Sequence, residues 1–450
     1  MTYLEAIEYL HSLTDYEKQR IERYTPETLS LARVERLLAA LGNPHHAYDA
    51  VHIAGTKGKG STSVMVESAL RAAGYRTGLY TSPHLHTFRE RIRVENTLIT
   101  EDDIVALMEE ICPLIEQTPG TTTFEAITAL AFTHFARHKI DVLVAEVGLG
   151  GRLDATNVLL PETAIITSLS KDHTYILGDT LPEIAREKAG IIKPGVPIVT
   201  APQQPEALQV IEAVSQERAA PLLAVGRDWT WEAGPVDTRG QSFTIRAPGD
   251  SDLSGAYWLP LLGRHQLENA ATAIAALDVL RTRGFDLPRP AVEAGLRRVE
   301  WPGRMEILSE MPLFIVDCAH NPYSTHVLKL ALQEWFPDRR WVIIFGASID
   351  KDIAGMLETL LPITEYLIVT RSQHPRSAVP LDLADIAASV GKGAEVAVNV
   401  HRAIQRAMAI VEPGTGVLVT GSIFVVADAR EAWAEHNGHP LPESDVKEAV

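Results

Sequence analysis

Val51-His52-Ile53-Ala54-Gly55-Thr56-Lys57-Gly58-Lys59-Gly60-Ser61 sets a short apolar run directly before a glycine-rich turn that carries two lysines. From about Ser61 to Ala73 the apolar residues recur at helical spacing, so the stretch reads as strand, loop and helix. Glycines let backbone N–H groups turn toward phosphate oxygens, and the positive end of the following helix adds to that attraction. Lys59 is placed to reach the β and γ oxygens of a nucleotide, and the Ser61 hydroxyl to ligate Mg2+. The spacing departs from the standard phosphate loop: Ile53 takes the first glycine position, and Gly60 intervenes between lysine and hydroxyl. The competing reading is a surface turn that happens to be rich in Gly and Lys.

Around this unit the chain alternates between strand and helix patterns. Ser30–Leu41 reads as an amphipathic helix through Leu31, Val34, Leu37, Leu38 and Leu41, with Gly42 placed to end it. Gly78–Thr81, Asp141–Val147, Ala164–Ser168 and Pro197–Thr200 are strand candidates, most of them separated by helical stretches, which predicts a mostly parallel, doubly wound sheet. Between about Leu222 and Leu262 short β-like runs such as Trp229–Glu232 and Ser242–Arg246 predict a small antiparallel excursion. Gln266–Arg283 is again helical. A second alternation has strands near Leu313–Val316, Trp341–Phe345, Tyr366–Thr370, Val396–Val400 and Gly416–Thr420. The expectation is an α/β chain of two domains. Residues 1–299 form a P-loop ATPase-type domain, and residues 300–450 form a Rossmann-like one.

Bulk properties narrow the function. A chain of 450 residues suits two cores rather than one. A formal net charge of -17 disfavours nucleic acid and anionic membranes, which need a broad basic patch, but not an anionic small substrate in a local cluster of Arg and Lys. Cys112 and Cys318 lie far apart, make no disulfide framework and suit a reducing cytosol. No secretory segment opens the chain and charge or Gly breaks every long apolar run, so a cytoplasmic protein is expected.

Val142-Leu143-Val144-Ala145-Glu146 ends an apolar strand on a carboxylate, where an acid can hold Mg2+ and offset the crowding of phosphate oxygens. Glu125 opens a helix, where an acid is usually a dipole-favoured surface group. The alternation of Arg89, Arg91 and Arg93 would set three guanidiniums on one strand face, either to meet an anionic substrate or as a solvated edge.

These motifs together resemble the Mur ligase superfamily, and within it the folate branch of folylpolyglutamate synthases and dihydrofolate synthases. The loop variant carries the resemblance, although bacterial members usually have Asn at the position of Lys57. Ser82-Pro83-His84-Leu85 with Phe88-Arg89-Glu90-Arg91-Ile92, Phe124-Glu125, and Gly148-Leu149-Gly150-Gly151-Arg152-Leu153-Asp154-Ala155-Thr156-Asn157 are similar to segments of that branch. So are Asp172-His173, Glu187-Lys188-Ala189-Gly190, Asn269, Pro302-Gly303-Arg304, and Asp317-Cys318-Ala319-His320-Asn321-Pro322. The resemblance implies that Gly55, Thr56, Lys57, Gly58, Lys59, Gly60, Ser61, Asn269, Arg304, Asp317 and His320 bind ATP. It implies that Ser61, Glu146, His173 and a carbamylated Lys188 serve two Mg2+ sites, with Lys59, Lys188 and His173 catalytic. Ser82, Pro83, His84, Arg89, Phe124 and Asp154 would border the substrate. The implied reaction is ATP-dependent addition of L-glutamate to a reduced folate, and to dihydropteroate, through an acyl phosphate, by a monomer. The alternatives are a Mur-type ligase acting on a UDP-sugar and a non-ligase nucleotide-binding protein.

Overall fold

The computed structural model describes residues 1–14, 29–172, 174–249, 251–440 and Asp445. Its first sheet contains β1 (Asp49–Ala54), β2 (Thr77–Tyr80), β3 (Ile92–Val94), β4 (Thr97–Leu98), β5 (Val142–Glu146), β6 (Thr163–Ile166), β7 (Ile198–Thr200) and β8 (Leu222–Ala224). They lie in the order β4-β3-β2-β5-β1-β6-β7-β8. The run from β2 through β8 is parallel, and β3 and β4 extend it as antiparallel edge strands. The central strands are buried along almost their whole length because helices cover both faces. Val51 and Ile53 face the helices Lys59–Ala72 and Arg264–Thr282, whereas Ala50 and Leu143 face Glu101–Glu116 and Thr123–Arg137.

The antiparallel excursion is a three-stranded sheet of β9 (Thr230–Asp237), β10 (Gly240–Arg246) and β11 (Gly255–Leu259). It starts later than the residue pattern predicts. Leu222–Ala224 pairs in parallel with β7 and closes the main sheet. Trp229, Phe243, Ile245 and Tyr257 pack with Leu267 and Ile274 of the helix Arg264–Thr282, so the small sheet caps the first core.

The second sheet holds β12 (Glu306–Glu310), β13 (Leu313–Val316), β14 (Arg340–Phe345), β15 (Thr364–Val369), β16 (Glu395–Val396) and β17 (Thr415–Thr420), in the order β12-β13-β17-β14-β15-β16. It is parallel except for β12, which pairs antiparallel with β13. The strand expected over Val396–Val400 is only two residues long. The Asn399 side chain accepts from the Arg402 N–H at 2.9 Å and starts the helix Val400–Ile410 instead.

Two further expectations are corrected. Phe88–Arg91 is a 3-10 turn, capped reciprocally by Thr87 and Glu90, and β3 begins only at Ile92, so Arg89, Arg91 and Arg93 do not share a strand face. Glu125 is not a surface acid: it is buried, and Arg33 of the helix Leu31–Ala40 binds it through Nε to Oε2 at 3.0 Å and Nη2 to Oε1 at 2.9 Å.

Removing one partner of a buried bidentate pair strands the other charge in a low-dielectric setting, at a cost of about 3–5 kcal/mol. Glu125→Ala should therefore lower unfolding stability by about that much in urea titration, while Arg33→Met combined with Glu125→Leu should recover most of the loss. Wild-type stability for Glu125→Ala would show that the pair is not an integral part of the core.

Candidate active site

Parallel pairing sets β1 between β5 and β6, with Ile53 beside Glu146 and Ala54 beside Ile166. Three carboxyl ends therefore emerge together, at the point where the chain stops building one side of the sheet and turns to the other. In open α/β sheets that crevice is where ligands bind.

The turn after β1 is braced by the segment after β6. The N–H groups of Thr56 and Lys57 donate to the Ser168 carbonyl at 3.0 and 3.1 Å, and the Thr56 hydroxyl donates to the Ser170 carbonyl at 3.1 Å. Gly55 and Gly58 have φ of +153° and +88°, and a Cβ on them would lie 1.8 Å from Thr167 Oγ1 and 2.3 Å from Asn269 Oδ1. No other residue type fits either position. Gly58 caps the helix Lys59–Ala72 without a side-chain bond, so the first N–H groups of that helix face the loop. Ser61 is buried in the first turn of this helix.

Charges converge on the loop. Lys59 Nζ lies 3.8 Å from Glu146 Oε1, and the Ser82 N–H donates to Glu146 Oε2 at 3.2 Å. Burial pushes the Glu146 carboxyl up, against the opposing pull of Lys59, the Ser82 N–H and Arg304. Lys57 Nζ reaches Asp172 Oδ2 at 2.9 Å and His320 Nε2 at 3.2 Å. His320 Nδ1 lies 2.9 Å from the Cys318 carbonyl, which assigns the proton to Nδ1 and turns the Nε2 lone pair toward Lys57. The Lys57 charge and burial together hold His320 neutral, with its pKa lowered to about 3. Asn321 Nδ2 donates to the same Asp172 oxygen at 3.0 Å, a second link between the first and second halves of the chain. From the helix Leu181–Ala189, buried Lys188 donates through Nζ to the Gly55 carbonyl at 2.8 Å. Burial, and then the neighbouring Lys59 charge, lower its pKa to about 7.

The second half closes the other side. A cleft of about 180 Å3 is lined by Lys57, Ser61, Asn269, Arg304, Asp317 and His320 among others. Asp317 accepts from the N–H groups of Met305 and Ala319 at 2.9 and 2.8 Å, so its carboxylate orders the strand end from which Arg304 and His320 project. A larger hollow of about 650 Å3, lined by His46, Tyr48, Asp49, Asp141 and Asp286, lies at the opposite, amino ends of the strands. Its three carboxylates repel a phosphate, so the smaller cleft is the candidate site.

Of the expected substrate residues, Ser82 contacts Glu146 directly. Ser82 and Pro83 are joined by a cis peptide next to that carboxylate. Arg91 Nε donates to His84 Nδ1 at 2.9 Å, while Arg89 turns away to the Ile99 carbonyl at 2.6 Å. Phe124 packs so closely over Gly148 that a Cβ there would lie 2.6 Å from its ring. The Asp154 carboxylate is engaged within its own loop, accepting from Leu149 N–H at 2.9 Å and Thr156 N–H at 3.0 Å. His173 lies outside the described residues. Reading the sequence did not single out Ser168, which braces the loop by its carbonyl alone and so leaves no side-chain signal. Nor did it single out Trp301 as a packing partner; its ring would meet a Cβ on Gly60 at 2.7 Å.

Comparison with known proteins agrees with this geometry. The Mur ligase middle domain matches residues 53–277, and the Mur ligase, glutamate ligase domain, matches residues 303–423. The chain is 37% identical over 412 residues to the dihydrofolate synthase/folylpolyglutamate synthase of Bacillus subtilis, covering 89% of this chain and 94% of that protein. It resembles the solved Mycobacterium tuberculosis folylpolyglutamate synthase complexed with ADP and AMPPCP, with a TM-score of 0.85, 33% identity and coverage of 96% and 98%. An FPGS–AMPPCP–folate complex gives a TM-score of 0.81 at 32% identity, covering 96% of this chain and 99% of that one. With the phosphate loop and the second-half arginine lining one cleft, and the strand-terminal acid 3.8 Å from Lys59 of that loop, the chain belongs to the folylpolyglutamate synthase/dihydrofolate synthase family of Mur ligases.

Proposed function

We propose that this chain is an ATP-dependent ligase that joins L-glutamate to a reduced folate and to dihydropteroate through an acyl phosphate. The observation that carries this reading is the convergence of Lys59, Glu146, Arg304 and the loop N–H groups at the carboxyl ends of β1 and β5. The relatives' names and the nucleotide- and folate-bound neighbours support the substrate class. Residues 1–299 carry the phosphate loop and residues 300–450 carry Asp317 and His320, with Arg304 just past the junction.

A free carboxylate resists amine attack because its charge is delocalised. Transfer of the γ-phosphoryl group to a carboxylate oxygen gives a mixed anhydride, whose phosphate leaves when the glutamate nitrogen attacks the carbonyl carbon. The loop N–H groups and Lys59 offset charge on the triphosphate during transfer, and Arg304 approaches from the opposite wall. Lys57, bound to Asp172 and His320 at once, holds the two walls together and so limits the entry of water to the reactive anhydride. Mg2+ fits Glu146 and Ser61: both offer hard oxygens, and the buried carboxylate is approached by one N–H and a lysine 3.8 Å away, which leaves room for more positive charge. When bound there, the dication supplies charge neutralisation at the phosphates.

Lys188 is proposed to carry a carbamate, formed when its neutral amine attacks CO2 and releases a proton. Its pKa of about 7 supports this, since a large fraction is unprotonated near neutrality. The sign follows. The amine is protonated and unreactive as pH falls below about 7 and becomes competent as pH rises through that value.

Lys59→Ala should reduce phosphate release and ligation at least about 100-fold with the circular dichroism spectrum unchanged. Mass analysis of products should show glutamate added to dihydropteroate and to tetrahydrofolate. ADP release only with a UDP-sugar acceptor would overturn the assignment, as would wild-type turnover in Lys59→Ala. For Lys188, 13C-labelled CO2 should give a carbamate NMR signal that grows between pH 6 and pH 8 and is missing in Lys188→Ala. A wild-type spectrum without that signal would rule the modification out.

A further inference from the structure

The far end of the helix Thr123–Arg137 brings together residues that the ligase reaction does not use. His134 lies in its last turn and His138 is its C-cap, four residues on, so both imidazoles fall on one face. Their ring centroids are 4.1 Å apart. Asp103, in the first turn of the preceding helix Glu101–Glu116, reaches the same point, because the two helices pack as an antiparallel hairpin. One ring nitrogen from each histidine and one carboxylate oxygen lie within 4.8 Å of one another. Among the described residues this is the one cluster of three or more such side chains that approach so closely.

We propose that Asp103, His134 and His138 form a zinc site that clamps this helix hairpin, with water in the remaining position. Two imidazoles and a carboxylate are a nitrogen–oxygen donor set suited to zinc, unlike the oxygen-only set at Glu146 and Ser61. Tetrahedral zinc sets its ligands roughly 3.3 Å apart, so side-chain rotations of about an ångström close the present spacing. No hydrogen bond joins either imidazole to another described residue, whereas Asp103 Oδ2 accepts from the Thr100 hydroxyl at 2.7 Å. Such an outer hydrogen bond orients a ligating carboxylate. The negative end of the helix Thr123–Arg137 adds attraction for a cation, and the nearby Arg137 guanidinium is itself paired with Glu110. Phe124, at the active-site end, lies fourteen residues from His138, about 21 Å along the helix axis, so this metal would be structural rather than part of phosphoryl transfer.

The test uses the full chain, stripped with a chelator and titrated with Zn2+ under a competing chromophoric chelator, in excess Mg2+ to occupy oxygen-only sites. The expected result is one Zn2+ per chain with a raised Tm, and visible absorption of four-coordinate Co2+ when cobalt replaces zinc. Asp103→Asn and His138→Gln, both at partly exposed positions, should each weaken uptake about tenfold or more, with circular dichroism and MgATP-dependent ligation unchanged. Failure of the wild type to take zinc from the competitor would overturn the proposal. So would equal uptake by both variants, which would place the ion elsewhere on the surface.

Discussion

The pairing of β1 between β5 and β6 is the constraint from which the site follows. Parallel register makes three strands end together, so the phosphate loop, Glu146 and the Ser168 carbonyl meet without any of them being carried on a flexible arm. A one-residue slip of β1 against either neighbour would turn Val51 and Ile53 away from the helices they cover and separate the loop from its brace. The rigidity of the loop is thus inherited from the core beneath it. The glycines contribute the conformations that side chains forbid.

Around the loop lies a cluster of buried and half-buried charge. Lys57, Lys59, Lys188 and Arg304 face Glu146, Asp154, Asp172 and Asp317 in a setting where each would be costly alone. They persist because each is bound by a neighbour of opposite sign or by a backbone group aimed at it. Burial and the neighbouring Lys59 charge move Lys188 toward a neutral amine. Such a network contributes little net stability but sets an electrostatic field in advance of the ligand, which is the state that phosphoryl transfer needs.

The two halves meet through polar contacts beside an apolar seam, in which Leu262 and Leu85 of the first half pack with the second-half cores. His320 and Asn321 reach Lys57 and Asp172, and His86 binds Glu431 at 3.0 Å. Contacts of this kind bring residues of both halves to the phosphate loop.

What the sequence determined on its own was local. A strand, a glycine turn and a helix within about twenty residues are legible because glycine, lysine and apolar periodicity act on their own neighbours, and Glu146 is legible as an acid that ends an apolar run. Asn399 capping a helix, and Thr87 with Glu90 closing a 3-10 turn, are equally local, but the valine run at Val396–Val400 and the alternating arginines at Arg89–Arg93 imitate strands and mask the caps. Tertiary structure alone decided the partnerships across long separations: Glu125 buried with Arg33, Lys57 shared between Asp172 and His320, and Asp103 brought to His134 and His138 by a helix hairpin. The spacing of His134 and His138 is written in the chain, but nothing near them names Asp103. A partner's identity depends on which faces the apolar core turns together, and that is a property of the packed whole.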